Sequence, residues 1–243
     1  MMLTTEHEIQ SKYSGKEVAA GYVEQRFVAP LMALLHDRQV AAVNRVMREQ
    51  RPQRSLEIAP GPGRLTRDVV PTGQLVCMEF NQGMIERGRA SSQGKAAWVR
   101  GNGFKLPIAS GFDFVYTFRF IRHFQEADRK RLYAEIHRVL RPGGIFIMDA
   151  VNERVSKPLR EARPEDYRVH DELYRPDELK LELCNAGFEP PSLAPVQKCF
   201  GLQFRSQVII GPRANWLNRL IIRGLEKLPV RDGLEWIVTC RRA

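Results

Sequence analysis

Between Leu56 and Val70 the chain reads LEIAPGPGRLTRDVV: a short apolar run, two glycines one residue apart, and a segment with helical spacing. A strand turning this sharply into a helix begins a β-α-β unit, and parallel strands need such crossovers. Gly61 and Gly63 let the backbone approach a ligand closely, and the start of the next segment offers free N–H groups. Two glycines alone do not say which ligand. A dinucleotide fingerprint continues to a third glycine, and Thr66 stands at that place here, which weighs against NAD.

The rest of the chain repeats the alternation. QLVCMEF (Gln74–Phe80) has the spacing of a second strand, AAWVRGN and FDFVYTF of a third and fourth, and RLTRDVV of the first crossover helix. EADRKRLYAEIHRVL predicts an amphipathic helix with Leu132, Ile136 and Leu140 on one face, stopped at Arg141-Pro142-Gly143-Gly144 before the strand IFIMDAV. Helical spacing also runs from Glu17 to Gln50, broken near Pro30, and through PDELKLELCNAGF; LEWIVTCRR reads as a last strand. Strands alternating with helices of this length imply a doubly wound α/β fold. The polar stretch Asn152 to Tyr174 is too long for an ordinary connection and is expected to be a lid. Within GPRANWLNRLIIRGLEKL, Leu217, Ile221, Leu225 and Leu228 share one helical face, expected to pack on the sheet or lean over a substrate. The alternative, given Trp216, Arg219 and Arg223 beside it, is peripheral membrane contact through 212–228.

Composition narrows the partners. The 243 residues, 43% hydrophobic and 27% charged, can bury a sizeable core. No apolar run is long enough to span a bilayer, and the polar, acid-bearing N-terminus is unlike a secretion signal, so a soluble cytoplasmic protein is expected. Cys77, Cys184, Cys199 and Cys240 are scattered and read as free thiols, and neither they nor the dispersed histidines have a metal-ligating spacing. Of the net charge of +10, the excess lies in residues 51–150 and 200–243, while 151–199 holds ten acids against eight bases. That region is a poor match to a polyanion.

Glu79 ends the second strand, eighteen residues after Gly61, close to the spacing at which an acid reaches ribose hydroxyls. LEIAPGPG, VCMEFNQGMIERGR, VRGNGFKLPIASGFDFVYTFRFIRHF and EIHRVLRPGGIFIMDA follow in order. Together they resemble the motifs of class I S-adenosylmethionine-dependent methyltransferases over Leu56 to Ala150. The resemblance implies a Rossmann-like seven-stranded sheet with an antiparallel last strand, here LEWIVTC. It implies a single methyltransferase domain with a helical cover at 1–50, a cofactor-binding core at 51–150, a lid at 151–175 and C-terminal helices and strands at 176–243. It implies S-adenosylmethionine as cofactor. Ala59, Gly61 and Gly63 would line its methionyl and ribose part, with Glu57 as the acid of the first motif. Glu79 would take the ribose hydroxyls. Phe80, Met84, Asn102, Gly103 and Phe104 would form the adenine pocket, with Asn102 where the family usually has aspartate. Phe118 and Arg119 would flank the methionyl group, and Tyr22 and Arg26, four apart on the N-terminal helix, would face the same cofactor.

Methyl transfer from a sulfonium is an in-line displacement, so the protein mainly positions the nucleophile, and a base is needed only where a proton must leave. Arg122 and His123 follow the fourth strand. Arg122 matches an arginine of the ubiquinone and menaquinone C-methylating type, and His123 stands where those proteins have asparagine. His123 is the expected base, with Arg122 beside it and His170, Asp171 and Tyr174 of the lid as further catalytic candidates. The expected reaction is O-, C- or N-methylation of a small, apolar or lipid-like acceptor. An RNA methyltransferase, an NAD(P)-dependent oxidoreductase and a catalytically inactive cofactor-binding partner are the alternatives.

Overall fold

The computed structural model describes residues 29–167 and 169–243; Tyr22 and Arg26 lie outside them. Helix α1 (Pro30–Gln50) starts where Pro30 presets the helical φ and ends at Arg51 in the left-handed conformation. The strands are β1 (Arg54–Ile58), β2 (Gln74–Glu79), β3 (Ala97–Arg100), β4 (Phe112–Tyr116), β5 (Leu140–Asn152), a two-residue β6 (Leu173–Tyr174), β7 (Ser192–Lys198) and β8 (Gly233–Arg241). The remaining helices are α2 (Gln82–Ser92), α3 (Glu126–Val139), α4 (Glu153–Ala162), α5 (Pro176–Asn185), α6 (Phe200–Ile209) and α7 (Asn215–Glu226).

The main sheet runs β3-β2-β1-β4-β5-β8-β7, with β6 pairing the end of β5. β1 through β5 are parallel, and β8 is antiparallel to both β5 and β7, as the resemblance implies. The order reverses between β1 and β4, and that switch point sets the ligand-binding end of the sheet. Side chains alternate across the sheet: Leu56 and Ile58 join a core with Leu132, Ile136 and Leu183, while Cys77, Phe114 and Tyr116 face Val43, Met47 and Ile85 on the other side.

Four expectations need correction. RLTRDVV does not form a regular helix: residues 61–68 are successive turns, with mixed bonds such as Asp68 N–H to the Leu65 carbonyl and Val69 N–H to the same oxygen. Left-handed Gly61 and Gly63 on one side and Pro71 on the other leave too little length for a nucleus to propagate. α3 stops at Val139, and Leu140 opens β5, which runs on through Pro142 and the glycines. The polar stretch after Asn152 is not bare loop, because α4 fills much of it, capped by the Asn152 side chain accepting from the Arg154 N–H. Finally, α7 buries Asn218, Ile222 and Glu226 and leaves Leu217 and Leu228 exposed. Strand β7 has no clear signal in the sequence, since Pro190 and Pro191 precede it and Pro195 lies inside it. It is an edge strand, where a missing N–H is tolerated.

Candidate active site

Each element of the cleft comes off the carboxyl end of a strand. After β1, Ala59, Gly61 and Gly63 all take positive φ, at 53, 59 and 79 degrees. Ala59 bears the cost of this conformation without being glycine, and its N–H donates to the Met78 carbonyl, tying the turn to β2. Gly63 has a second constraint, because a Cβ there would lie 2.7 Å from Ser91 Oγ and 3.2 Å from the Gly88 backbone. Gly61 differs: a Cβ on it meets no atom within 4 Å, so its side faces open space.

That space is a cleft of roughly 140 Å³, partly open to solvent. It is lined by Glu57, Ala59, Gly61, Glu79, Phe80, Met84, Asn102, Gly103, Phe104, Phe118, Arg119 and His123, which includes every described residue assigned to the cofactor in the sequence except Gly63. Glu79 Oε2 accepts from the Gly61 N–H at 3.0 Å, and Oε1 from the N–H groups of Phe80 at 2.8 Å and Asn81 at 3.0 Å. Burial pushes this carboxyl up, against the three N–H groups that lower it. A carboxylate so held keeps acceptor capacity for a diol. Asn102 Oδ1 accepts the Phe104 N–H at 3.0 Å, shaping the turn after β3. Phe104, Phe120 and Phe124 form edge-to-face contacts at 5.0 and 5.2 Å between ring centroids, and Phe120 closes over Gly103. An apolar slot, a fixed carboxylate and a side-chain-free turn suit an adenosine bearing a small polar tail.

Glu57 sits beneath the turn, fully surrounded. Its Oε2 accepts from Thr66 Oγ1 at 2.7 Å and Tyr116 Oη at 3.1 Å, and burial raises its pKa to about 7. Arg64, whose guanidinium donates to Gln39 Oε1 at 2.7 Å, clamps the turn to α1.

The other side of the cleft is built from charge. Arg122, 4% exposed, donates from Nε and Nη2 to the two oxygens of Asp171, at 2.8 and 3.3 Å. Its Nη1 reaches Asp149 at 3.1 Å and Glu235 at 2.7 Å. Asp149 also accepts the Arg119 N–H, which helps hold Arg119 at a φ of 58 degrees. Arg160 Nη2 donates to Asp171 at 2.7 Å. Burial alone would raise the Asp171 carboxyl, but Arg122, His123 and Arg160 hold it far below the usual carboxylate range. Arg122 therefore ties Asp171 to β5 and β8.

His123 lies beside this network. Its Nδ1 is 2.9 Å from the His170 carbonyl oxygen and 3.0 Å from Asp171 Oδ1. It borders the cofactor cleft and a second cavity, as does Arg119. That cavity, roughly 640 Å³ and broadly open, is walled by Leu31, Met32, Val151, Tyr167, Phe200 and Phe204 among others. His170 meets His123 through its carbonyl, and its ring approaches Glu172 at 3.6 Å. Tyr174 lines neither cavity. It packs in the core with Leu179 and Leu183, 5.3 Å beneath the Arg129 guanidinium. Sequence reasoning named Asp171 as a lid candidate but missed Arg64, Phe120 and Phe124 on the cleft and the carboxylates Asp149 and Glu235. Asp149, at the end of an apolar strand, carried a usable signal. Glu235, 113 residues from Arg122, carried none.

A methyltransferase-domain family profile matches residues 56–148. The ubiquinone/menaquinone biosynthesis C-methyltransferase UbiE of Yersinia pestis bv. Antiqua is 27% identical over 216 residues, covering 72% of this chain and 85% of that one. An uncharacterized 37.1 kDa protein in transposon TN4556 of Streptomyces fradiae is 28% identical over 198 residues, and 75% of this chain spans 56% of its length. Among solved structures, a SAM-dependent methyltransferase of Thermotoga maritima superposes with a TM-score of 0.66 at 18% identity, over 94% of this chain and 97% of that one. The N-methyltransferase NodS of Bradyrhizobium japonicum, complexed with S-adenosyl-L-homocysteine, gives 0.61 at 11% identity, over 93% and 95%. Residues 56–148 thus carry a methyltransferase domain, and the chain is similar to S-adenosylmethionine-dependent methyltransferases, with S-adenosylmethionine as cofactor.

Proposed function

We propose that the chain methylates a small apolar or lipid-like acceptor seated in the second cavity, with His123 as general base. The carrying observation is that His123 borders both cavities while its Nδ1 is engaged by two acceptors. A carbonyl oxygen can only accept, so Nδ1 bears the hydrogen and Nε2 keeps its lone pair. Asp171, itself fixed by Arg122 and Arg160, orients the ring. When bound, S-adenosylmethionine supplies a methyl group already activated on a sulfonium. The protein then has to align the acceptor, exclude water and remove the acceptor's proton where it has one. Glu79 and the glycine turn hold the cofactor end, and Arg119 and Phe118 flank the passage between the two cavities.

The apolar walls Leu31, Met32, Phe200 and Phe204 support an apolar acceptor, as does the likeness to a ubiquinone/menaquinone biosynthesis C-methyltransferase. An acceptor screen with His123→Gln tests the reading. Methyl transfer should fall about 10²–10⁴-fold, with the acid limb of the pH–rate profile lost and S-adenosylhomocysteine affinity unchanged. Unaltered turnover and pH profile would remove His123 as the base. Turnover only on RNA would remove the acceptor class.

A further inference from the structure

Helices α6 and α7 are built inside out. They meet through polar groups: Ser206 Oγ contacts Asn218 Oδ1 at 2.8 Å, and Gln203 Nε2 donates to Glu226 Oε2 at 3.1 Å. Gln203, Asn218 and Glu226 are at most 2% exposed. On the outside, Trp216 is 68% exposed, Ile209 62%, Leu220 58%, and Leu202 and Val208 55% each. In water this arrangement forfeits the burial that normally drives a helix onto its domain. Large apolar side chains exposed together on two packed helices mark an interaction site.

Charge identifies the occupant. Among residues 199–228 the outward charges are all cations, Arg205, Arg213, Arg219, Arg223 and Lys227, and Glu226, the acid of the segment, is turned inward. Arg219, Arg223 and Lys227 fall four apart, forming a stripe beside Trp216 and Leu220. Arg223 has Asp37 of α1 at 3.8 Å as an exposed partner. A second copy of the chain would bring two such cationic rims together, which costs free energy at a symmetric interface. A surface offering an apolar interior under an anionic plane complements both features. α7, with twelve residues, is long enough to lie in that plane, and no described helix is long and apolar enough to cross.

We propose that the α6–α7 pair docks the protein on an anionic lipid bilayer, with Trp216, Leu220, Val208 and Ile209 in the interfacial layer and the arginines against headgroups. The inference goes beyond the acceptor reading and holds whatever the acceptor is. It has one link to the site: Phe200 and Phe204 of α6 wall the second cavity, so a docked enzyme would present that cavity beside the membrane.

The test uses the whole chain with phosphatidylcholine vesicles, with and without phosphatidylglycerol. Trp98 and Trp236 are 7% and 3% exposed, so a blue shift of tryptophan emission on adding vesicles reports Trp216. The expected result is cosedimentation and a blue shift with phosphatidylglycerol vesicles only. Arg219→Gln with Arg223→Gln should weaken binding roughly tenfold or more, and Trp216→Ser with Leu220→Ser should abolish the shift, both with S-adenosylhomocysteine affinity intact. Protein that binds S-adenosylhomocysteine but ignores both vesicles overturns the proposal. So does vesicle binding that neither double variant weakens. A lipid-free dimer dispersed by Trp216→Ser with Leu220→Ser would assign the face to a second copy instead.

Discussion

On the cofactor side of the cleft, Glu79 is held by N–H groups of Gly61, Phe80 and Asn81. On the acceptor side, Arg122 is held by the carboxylates of Asp149, Asp171 and Glu235. The first arrangement draws on neutral backbone dipoles, two of them from adjacent residues, and asks little of the rest of the fold. The second buries formal charges from three separated segments, so each partner depends on the others being in place. The comparison suggests that the cofactor half forms from short-range structure, whereas the lid is docked by one cooperative cluster.

The largest expected effect breaks the second arrangement. Arg122→Ala strands three buried carboxylates and should cost about 3–5 kcal/mol in denaturant unfolding, with S-adenosylmethionine affinity much less affected in the protein that remains folded. A loss below about 1 kcal/mol would mean that the cluster does not secure the lid.

Opposite pH responses sharpen the contrast. Glu57, on the cofactor side, titrates near 7 when folded, above its ordinary 4.5. The folded state binds the extra proton in that window, so this carboxyl's contribution to stability falls as pH rises from 4.5 to 7. Glu57→Gln keeps an acceptor for Thr66 and Tyr116 and should gain on wild type by up to about 3 kcal/mol across that window, read from unfolding curves at several pH values. Asp171, with its folded pKa depressed, works the other way. Its stabilisation is present above the ordinary carboxylate range and lost as pH falls through the folded value. Asp171→Asn should therefore lower stability at neutral pH and flatten the acid limb.

A smaller effect, about 2 kcal/mol or roughly thirtyfold in affinity, is expected when Glu79→Ala removes the carboxylate from the ribose site. Calorimetric titration with S-adenosylmethionine and S-adenosylhomocysteine measures it. An unchanged affinity would move the ribose site elsewhere. At the bottom of the scale, Arg154 is 82% exposed and pairs with Asp232 at 3.1 Å. Arg154→Ala should change stability by less than about 0.5 kcal/mol, which separates the buried lid cluster from an ion pair on the lid's outer face.

The same difference in range explains what was legible. Gly61, Gly63 and Glu79 could be read directly, because a turn at the end of a strand and an acid at the end of the next are local facts with a fixed spacing. The β-α alternation carried the parallel sheet for a similar reason. Arg122 and His123 were visible as residues after β4, but their environment was not: Asp171 and Glu235 come from the lid and from β8. The segment after Gly63 read as a helix and became turns, since three positive-φ residues at the cleft outweighed helical spacing over so short a length. In α7 the periodicity showed an apolar face and misassigned its direction. Periodicity records that a face exists, and only the neighbours decide whether it is turned in or out.

The sequence by itself determined most of the order of strands and helices, the glycine turn and the acid that ends β2, and its resemblance to methyltransferase motifs carried the class of cofactor. These follow from backbone preferences and spacing within a few dozen residues. Tertiary structure alone decided that Arg122 is enclosed by three carboxylates, that His123 borders two cavities with its Nδ1 occupied, and that α6 and α7 hide their polar groups and display their apolar ones. Each of those depends on which distant surfaces meet, and the free energy of burying a charge or exposing a leucine is set by that meeting rather than by the residue itself.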